Sequence, residues 1–203
     1  MHDGDGSNCR ENITNWALEH FRKHYGDEKI TKWDIFYYVY SVLHHPEYRA
    51  KYAENLKREL PRIPLAKDFW GFAKAGQELA RLHIDYEKVE RYPLKEIELE
   101  HPEKKFSYLV EKKMRLSKDR KSLKVNNTLA LAGIPPETFE YRLGNRSALE
   151  WVIDQYQVTE DKRSGIRSDP NRADDPEYIT KLVQRVIRVS LETVRIVKAL
   201  PAL

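Results

Sequence analysis

The sequence predicts an α+β fold in which N- and C-terminal helices scaffold a central antiparallel β region with basic hairpins. Three observations lead there. Apolar residues recur at helical spacing on both flanks, the period shortens to strand-like alternation from Tyr92 to Leu116, and proline or glycine marks most changeovers. The chain has 203 residues, 40% hydrophobic and 33% charged, an ordinary globular balance on the charged side of average. That length buries a core without covalent staples. It is read as one domain over residues 12–203, with a helical part at 12–83, a β-rich part at 84–134, and helices plus a long polar loop at 135–203. Residues 1–11 read as a flexible lead.

Asn12 is placed to cap the first helix, whose apolar positions Ile13, Trp16, Ala17 and Phe21 share a face and which Gly26 closes. Thr31 and Asp34 form a capping box for a second helix through Ile35, Phe36, Val39, Tyr40, Val42 and Leu43. His45 before Pro46 ends that helix and begins a third, through Tyr48, Tyr52 and Leu56 to about Leu60. Pro61 and Pro64 force an extended crossing before a fourth helix over roughly residues 67–83. Leu94, Ile97, Leu99, Phe106, Tyr108, Val110, Met114 and Leu116 then fall in short alternating stretches, read as several strands. Residues 117–120 form a turn joining 113–116 to 122–125, and Asn126-Asn127 form another before Leu129. Helix returns briefly after Pro136. A second capping box, Ser147 with Glu150, leads into Trp151, Val152, Ile153 and Tyr156. Asp175 and Pro176 open the last helix, on which Ile179, Leu182, Val183, Val186, Ile187, Val194 and Val197 make a wide apolar face.

Composition removes several function classes. With Cys9 as the lone cysteine, neither an internal disulfide nor a four-thiolate zinc site can form, and a reducing cytoplasm is the expected location. The first residues are polar and acidic, unlike a signal peptide, and no apolar run is long enough to span a bilayer. There is no Walker loop, Rossmann fingerprint or nucleophile elbow. Ile134-Pro-Pro-Glu137 lacks the polar first residue with which adenine methylases hold the base, and reads as a turn. No catalytic residue and no cofactor is therefore assigned. His20 and His24 stand four apart on a helix, but Phe21 occupies the place of a zincin glutamate, so both read as surface or packing residues and no metal site is assigned.

The net charge of +4 matters less than its distribution. Between residues 102 and 125 stand Lys104, Lys105, Lys112, Lys113, Arg115, Lys118, Arg120, Lys121 and Lys124, opposed only by Glu103, Glu111 and Asp119. The polar stretch 159–174 gathers Lys162, Arg163, Ser164, Arg167, Asn171 and Arg172 around Gly165, which combines forked donors, an amide and room for close backbone approach. Duplex DNA suits both. Lys112, Lys113, Arg115, Lys118, Arg120, Lys121 and Lys124 are expected to neutralise phosphates, while Arg146, Lys162, Arg163, Ser164, Arg167, Asn171 and Arg172 are expected at base edges.

Other readings stand beside this one. The lysines of 102–125 also serve to keep an exposed hairpin soluble. Glu111 with Lys113 matches half of a magnesium nuclease signature that lacks its upstream aspartate. Tyr37, Tyr38, Tyr40, Tyr48 and Tyr52 suit a stacking platform for unpaired bases or a surface that docks another protein, although helical spacing favours core. On the last helix, Glu192 among Lys181, Arg185, Arg188 and Arg195 points to local ion pairs.

Thr31-Lys-Trp-Asp-Ile-Phe-Tyr-Tyr-Val-Tyr40, Leu43-His-His-Pro-Glu-Tyr-Arg49 and Leu56-Lys-Arg-Glu-Leu-Pro-Arg-Ile-Pro64 resemble the C-terminal specificity region of type ISP restriction-modification enzymes. Leu143-Gly-Asn-Arg-Ser-Ala-Leu-Glu-Trp151, Asp161-Lys-Arg-Ser-Gly-Ile166 and Asp169-Pro-Asn171 are similar to its closing segments, so the resemblance runs from about Asn12 to the C-terminus. In that family one polypeptide joins a nuclease, a helicase-like ATPase, an N6-adenine methylase and, last, a target recognition domain. The resemblance implies a non-catalytic domain that reads double-stranded DNA in a sequence-specific way and positions it for the methylase. Its implied partners are double-stranded DNA and the methylase and helicase-nuclease regions, in the same enzyme or in a partner chain. ATPase and methylase motifs are missing here, so those activities are not carried over.

Overall fold

The computed structural model describes residues 11–203, and the expected flexible lead, apart from Glu11, lies outside the described residues. Two compact units emerge: one ends at Arg81 and takes in Ile196–Leu203, and the other is Leu82–Arg195. Each encloses its own core.

The first unit is helical, with α1 at Asn15–Tyr25, α2 at Lys32–His44, α3 at Pro46–Lys51 and most of α4, Phe69–Ile84. Thr14, not Asn12, caps α1: its backbone is extended and its hydroxyl accepts the Ala17 N–H at 3.1 Å, whereas Asn12 stands two residues too early. Gly26 ends α1 in the left-handed conformation, φ 63°, where a side chain would strain the backbone. The Thr31/Asp34 capping box is formed. The third helix is shorter than its pattern suggests, because the chain loosens after Lys51 and resumes only as a 3₁₀ turn at Asn55–Lys57. Phe21, Ile30, Ile35, Tyr38, Val42, Phe69 and Phe72 make the core. Buried Tyr38 also fixes the proline crossing: its hydroxyl donates to the Pro64 carbonyl at 2.6 Å and accepts the Ala66 N–H at 2.7 Å. A Cβ at Gly76 of α4 would lie 1.8 Å from the Tyr37 carbonyl oxygen of α2, so glycine allows these helix backbones to touch.

The second unit is built on a four-stranded antiparallel sheet of order β1-β4-β3-β2, with β1 at Lys95–Glu98, β2 at Arg115–Leu116, β3 at Ser122–Lys124 and β4 at Leu129–Ala132. Two short ribbons follow: β5, Arg142–Leu143, pairs with β6, Arg146–Ser147, and β7, Thr159–Glu160, pairs with β8, Arg167–Ser168. Helices α5, Ala148–Gln155, and α6, Tyr178–Lys198, complete the chain, and the residues of α6 up to Arg195 belong to this unit. Leu123, Leu129 and Leu131 of the sheet, Leu149 and Ile153 of α5, and Ile179, Leu182, Val183 and Ile187 of α6 form the core.

Two further expectations are corrected. Residues 101–114 hold no strand, although their apolar residues alternate, because side-chain amides and hydroxyls satisfy their backbone in place of a ladder. The last helix begins at Tyr178 and not at Pro176: the Asp175 carbonyl accepts the Tyr178 N–H at 3.0 Å, which makes a turn before the helix proper. Among the described residues, no helix is long and apolar enough to cross a membrane.

Candidate nucleic-acid interface

In the β2–β3 hairpin, Arg115 stands opposite Lys124 and Leu116 opposite Leu123. Leu123 is buried, so the alternation of the strand turns Arg115 and Lys124 outward. Lys118 and Lys121 are exposed around the turn. Arg120 adopts φ 60°, a conformation that normally falls to glycine in such a turn. Its side chain explains the exception: the guanidinium lies 3.8 Å from the Phe139 ring centre and donates to Glu150 Oε1 at 2.6 Å. Arg120, expected at a phosphate, thus braces the hairpin against α5.

Lys104, Lys112, Lys113, Arg115 and Lys124 line an open cleft of about 280 Å³ beside this hairpin. The carboxylate in its wall is Glu111, paired with Lys104. Lys113 also lines a second, shallower hollow of about 270 Å³ with Arg146, Glu150 and Asp154, so a charged surface continues from β2 to β6, its cations matched there by two carboxylates. There the two oxygens of Asp154 take different cations: Oδ1 accepts from Lys113 Nζ and Oδ2 from an Arg146 Nη. These bonds hold the Asp154 carboxyl below the usual carboxylate range, Lys113 most and Arg146 next. The Arg146 guanidinium lies 5.2 Å from the Trp151 ring centre. At Glu150, burial alone would raise the pKa, but hydrogen bonds from Ser147 and the charge of Arg120 hold it down.

The polar loop is an ordered turn. Asp161 accepts the N–H groups of Arg163 at 2.9 Å and Ser164 at 2.8 Å and the Ser164 hydroxyl at 3.0 Å, while Gly165 takes φ 69°. Lys162, Arg163 and Arg167 are exposed on it, and Arg167 also reaches Asp169 at 3.1 Å. Ser164 is engaged with Asp161, and the Arg172 guanidinium lies 3.3 Å from the Tyr178 ring centre. Asn171 accepts the Val110 N–H at 2.9 Å, donates to the Val110 carbonyl at 2.8 Å and donates to Asp169 at 2.7 Å. Its amide, expected at a base edge, is occupied inside the unit. It ties the loop to the segment that leads into Lys112 and Lys113.

That segment is held by further side chains. Asn126 donates to the Ser107 and Leu109 carbonyls at 2.7 and 2.8 Å, and Thr128 accepts the Ser107 N–H at 3.1 Å. Asn171 therefore joins the two expected groups, hairpin cations and loop, and residues to which the sequence assigned no such role support the join: Asp154, Asn126 and Thr128. Lys113, Ser107 and Leu109, which they hold, lie 17 to 41 residues away in sequence, which hides these contacts from local motifs.

Residues 2–182 match the sequence model described as the Type ISP C-terminal specificity domain. The chain belongs to this family. Solved structures agree. A DrdV–DNA complex is similar at 42% identity and TM-score 0.83 over 94% of this chain and 20% of that one. A nuclease-deletion mutant of the Type ISP restriction-modification enzyme LlaGI, in complex with a DNA substrate mimic, is similar at 40% identity and TM-score 0.76 over 85% of this chain and 16% of that one. The ATP-dependent Type ISP restriction-modification enzyme LlaBIII, bound to DNA, is similar at 34% identity and TM-score 0.81 over 94% of this chain and 12% of that one. This Type ISP specificity domain thus spans a fifth or less of those chains. No curated protein matches it.

The residues of the other readings are placed as follows. Tyr38 and Tyr48 are core, whereas Tyr52 is exposed beside Tyr48, the rings 5.0 Å apart. Tyr37 and Tyr40 contact exposed Phe36 on α2. His20 stacks on Trp16 at 5.2 Å and His24 meets Tyr25 edge-on at 4.7 Å. Among the described residues, no group of three or more His, Cys, Asp or Glu is arranged to hold a metal ion. On α6, Lys181 pairs with Asp175 at 2.8 Å and Arg195 with Glu192 at 2.8 Å.

Proposed function

We propose that this Type ISP specificity domain recognises a sequence in double-stranded DNA and positions it for an adenine-N6 methylase elsewhere in a restriction-modification enzyme. In this reading residues 12–203 act as one recognition module in the cytoplasm, with no chemistry of their own. The observation that carries it is connection: the basic cleft at β2–β3 shares Lys113 with the hollow that Arg146 lines, and Asn171 fastens the Arg163 loop to the same segment. Relatives of 34–42% identity that are solved with DNA support it.

Labour divides by exposure and by partner. Lys112, Lys113, Arg115, Lys118, Lys121 and Lys124 neutralise phosphates and set register, and Arg146, Lys162, Arg163 and Arg167 reach base edges. Arg120, Ser164, Asn171 and Arg172, engaged within the unit, hold the reading elements in place.

Salt titrations test this. Lys112→Gln with Lys124→Gln is expected to weaken binding to every duplex and to flatten the plot of log K against log salt by about 1.8, since each phosphate contact contributes about 0.9. Arg163→Ala is expected to cost on the order of 1–3 kcal/mol at one base-pair position, read by selection from a randomised duplex pool with the methylase region attached. An unchanged salt slope in the double variant overturns the assignment. Supercoiled plasmid is expected to survive incubation with magnesium; nicking would favour the Glu111/Lys113 nuclease instead.

A second role has its own observation. Trp16, Trp33 and Phe36 are exposed on α1 and α2, a surface suited to packing against the methylase or helicase-nuclease regions.

A further inference from the structure

We propose that Asp154 is a specificity-determining residue, which restrains Lys113 and Arg146 so that they do not engage phosphates of non-target DNA. The inference rests on the DNA-binding reading and deepens it.

The geometry is asymmetric. The Asp154 side chain is 25% exposed, while those of Lys113 and Arg146 are 51% and 41% exposed, so the cations present more of their surface to an approaching duplex than the carboxylate does. The two cations come from different elements, Lys113 from the segment before β2 and Arg146 from β6, and one carboxylate on α5 gathers both. A phosphate approaching either cation therefore competes with a carboxylate already in contact, and it meets like-charge repulsion from that carboxylate. Lys112, Arg115 and Lys124 in the adjoining cleft are exposed to phosphates directly.

Arg146 gains direction from the same contact. One Nη is held by Asp154 and the guanidinium rests near the Trp151 ring, which restricts the guanidinium while leaving further donors for a guanine edge. Asp154 thus lowers the affinity for arbitrary sequence and aims the side chain that rewards the correct one, the two ways in which specificity is built.

The test is a salt titration of the intact chain with a scrambled-sequence duplex, using Asp154→Asn and, as a second variant, Asp154→Ser. Release of one or two cations is expected to steepen the salt slope by about 0.9 to 1.8, each step being about eightfold in affinity at 0.1 M relative to 1 M salt. Glu98→Gln, which removes an exposed carboxylate on β1, is expected to leave the slope unchanged. In a Lys113→Gln/Arg146→Gln background Asp154→Asn should act no differently from Glu98→Gln. If both Asp154 variants keep the wild-type slope while Lys112→Gln/Lys124→Gln still flattens it, the restraint is disproved and the interface stands. If that double variant is also without effect, the interface reading falls and takes this proposal with it.

Discussion

Replacing Asn171 with alanine removes three hydrogen bonds, two of which satisfy the N–H and carbonyl of Val110. Val110 itself is 1% exposed, but its bonds to Asn171 are only partly buried, so water reaches the orphaned groups in part. A buried polar group left unpaired costs about 1–3 kcal/mol, and two groups at the lower end give roughly 2 kcal/mol for the local clamp. At about 1.4 kcal/mol per factor of ten, opening at Val110 becomes roughly thirtyfold more frequent. The assay is native-state amide exchange at Val110, because a global melting temperature in a chain of two units reports whichever core fails first. Asn171→Asp separates bonding from volume: it keeps an acceptor for the Val110 N–H but sets a carboxylate against the Val110 carbonyl and Asp169. Comparable loss of protection is expected in both variants, with weaker discrimination between duplex sequences and an unchanged salt slope. Exchange at Val110 within about twofold of wild type in both variants would refute the clamp.

Two further outcomes concern packing and pH. Gly76→Ala is expected to lower the melting temperature of the helical unit: a Cβ 1.8 Å from the Tyr37 carbonyl forces α4 off α2, at an overpacking cost of about 1–3 kcal/mol that exceeds the roughly 1 kcal/mol gain in helix propensity. An unchanged or higher midpoint would contradict that contact. The Asp161 carboxyl is held below its ordinary 3.8 by the Ser164 N–H and hydroxyl and the Arg163 N–H, so its stabilisation of the turn is complete above 3.8 and disappears as pH falls through the lower folded value. The Arg163 and Ser164 amide resonances should titrate with a midpoint below 3.8, and a midpoint at or above it counts against the turn.

Elements whose signals are local were legible in the sequence. The Thr31/Asp34 and Ser147/Glu150 capping boxes, the Gly26 stop and the 117–120 turn all act within a few residues, and each appears where its pattern places it. The misreading of 101–114 as strand came from residues whose partners are distant. The alternation of 101–114 has the period of a strand, yet Asn126, Thr128 and Asn171 reach across the fold to bind its backbone first, the last of them from 61 residues away. Family membership and the regions carrying positive charge were readable from motifs and composition. The partition of individual cations was not, because nothing near Arg120 in sequence discloses Glu150 or Phe139, and nothing near Lys113 discloses Asp154.

The extended segment has a consequence for which substitutions the fold tolerates. Strand pairing ties each residue's facing to its neighbours' register, so one insertion inverts everything downstream. Here Ser107, Leu109 and Val110 are fastened through main-chain atoms by side chains from elsewhere, and the bonds are indifferent to which side chains 103–112 carry. Exposed residues of that stretch can be exchanged with those bonds kept, as a lock is re-keyed by new pins in an unaltered barrel.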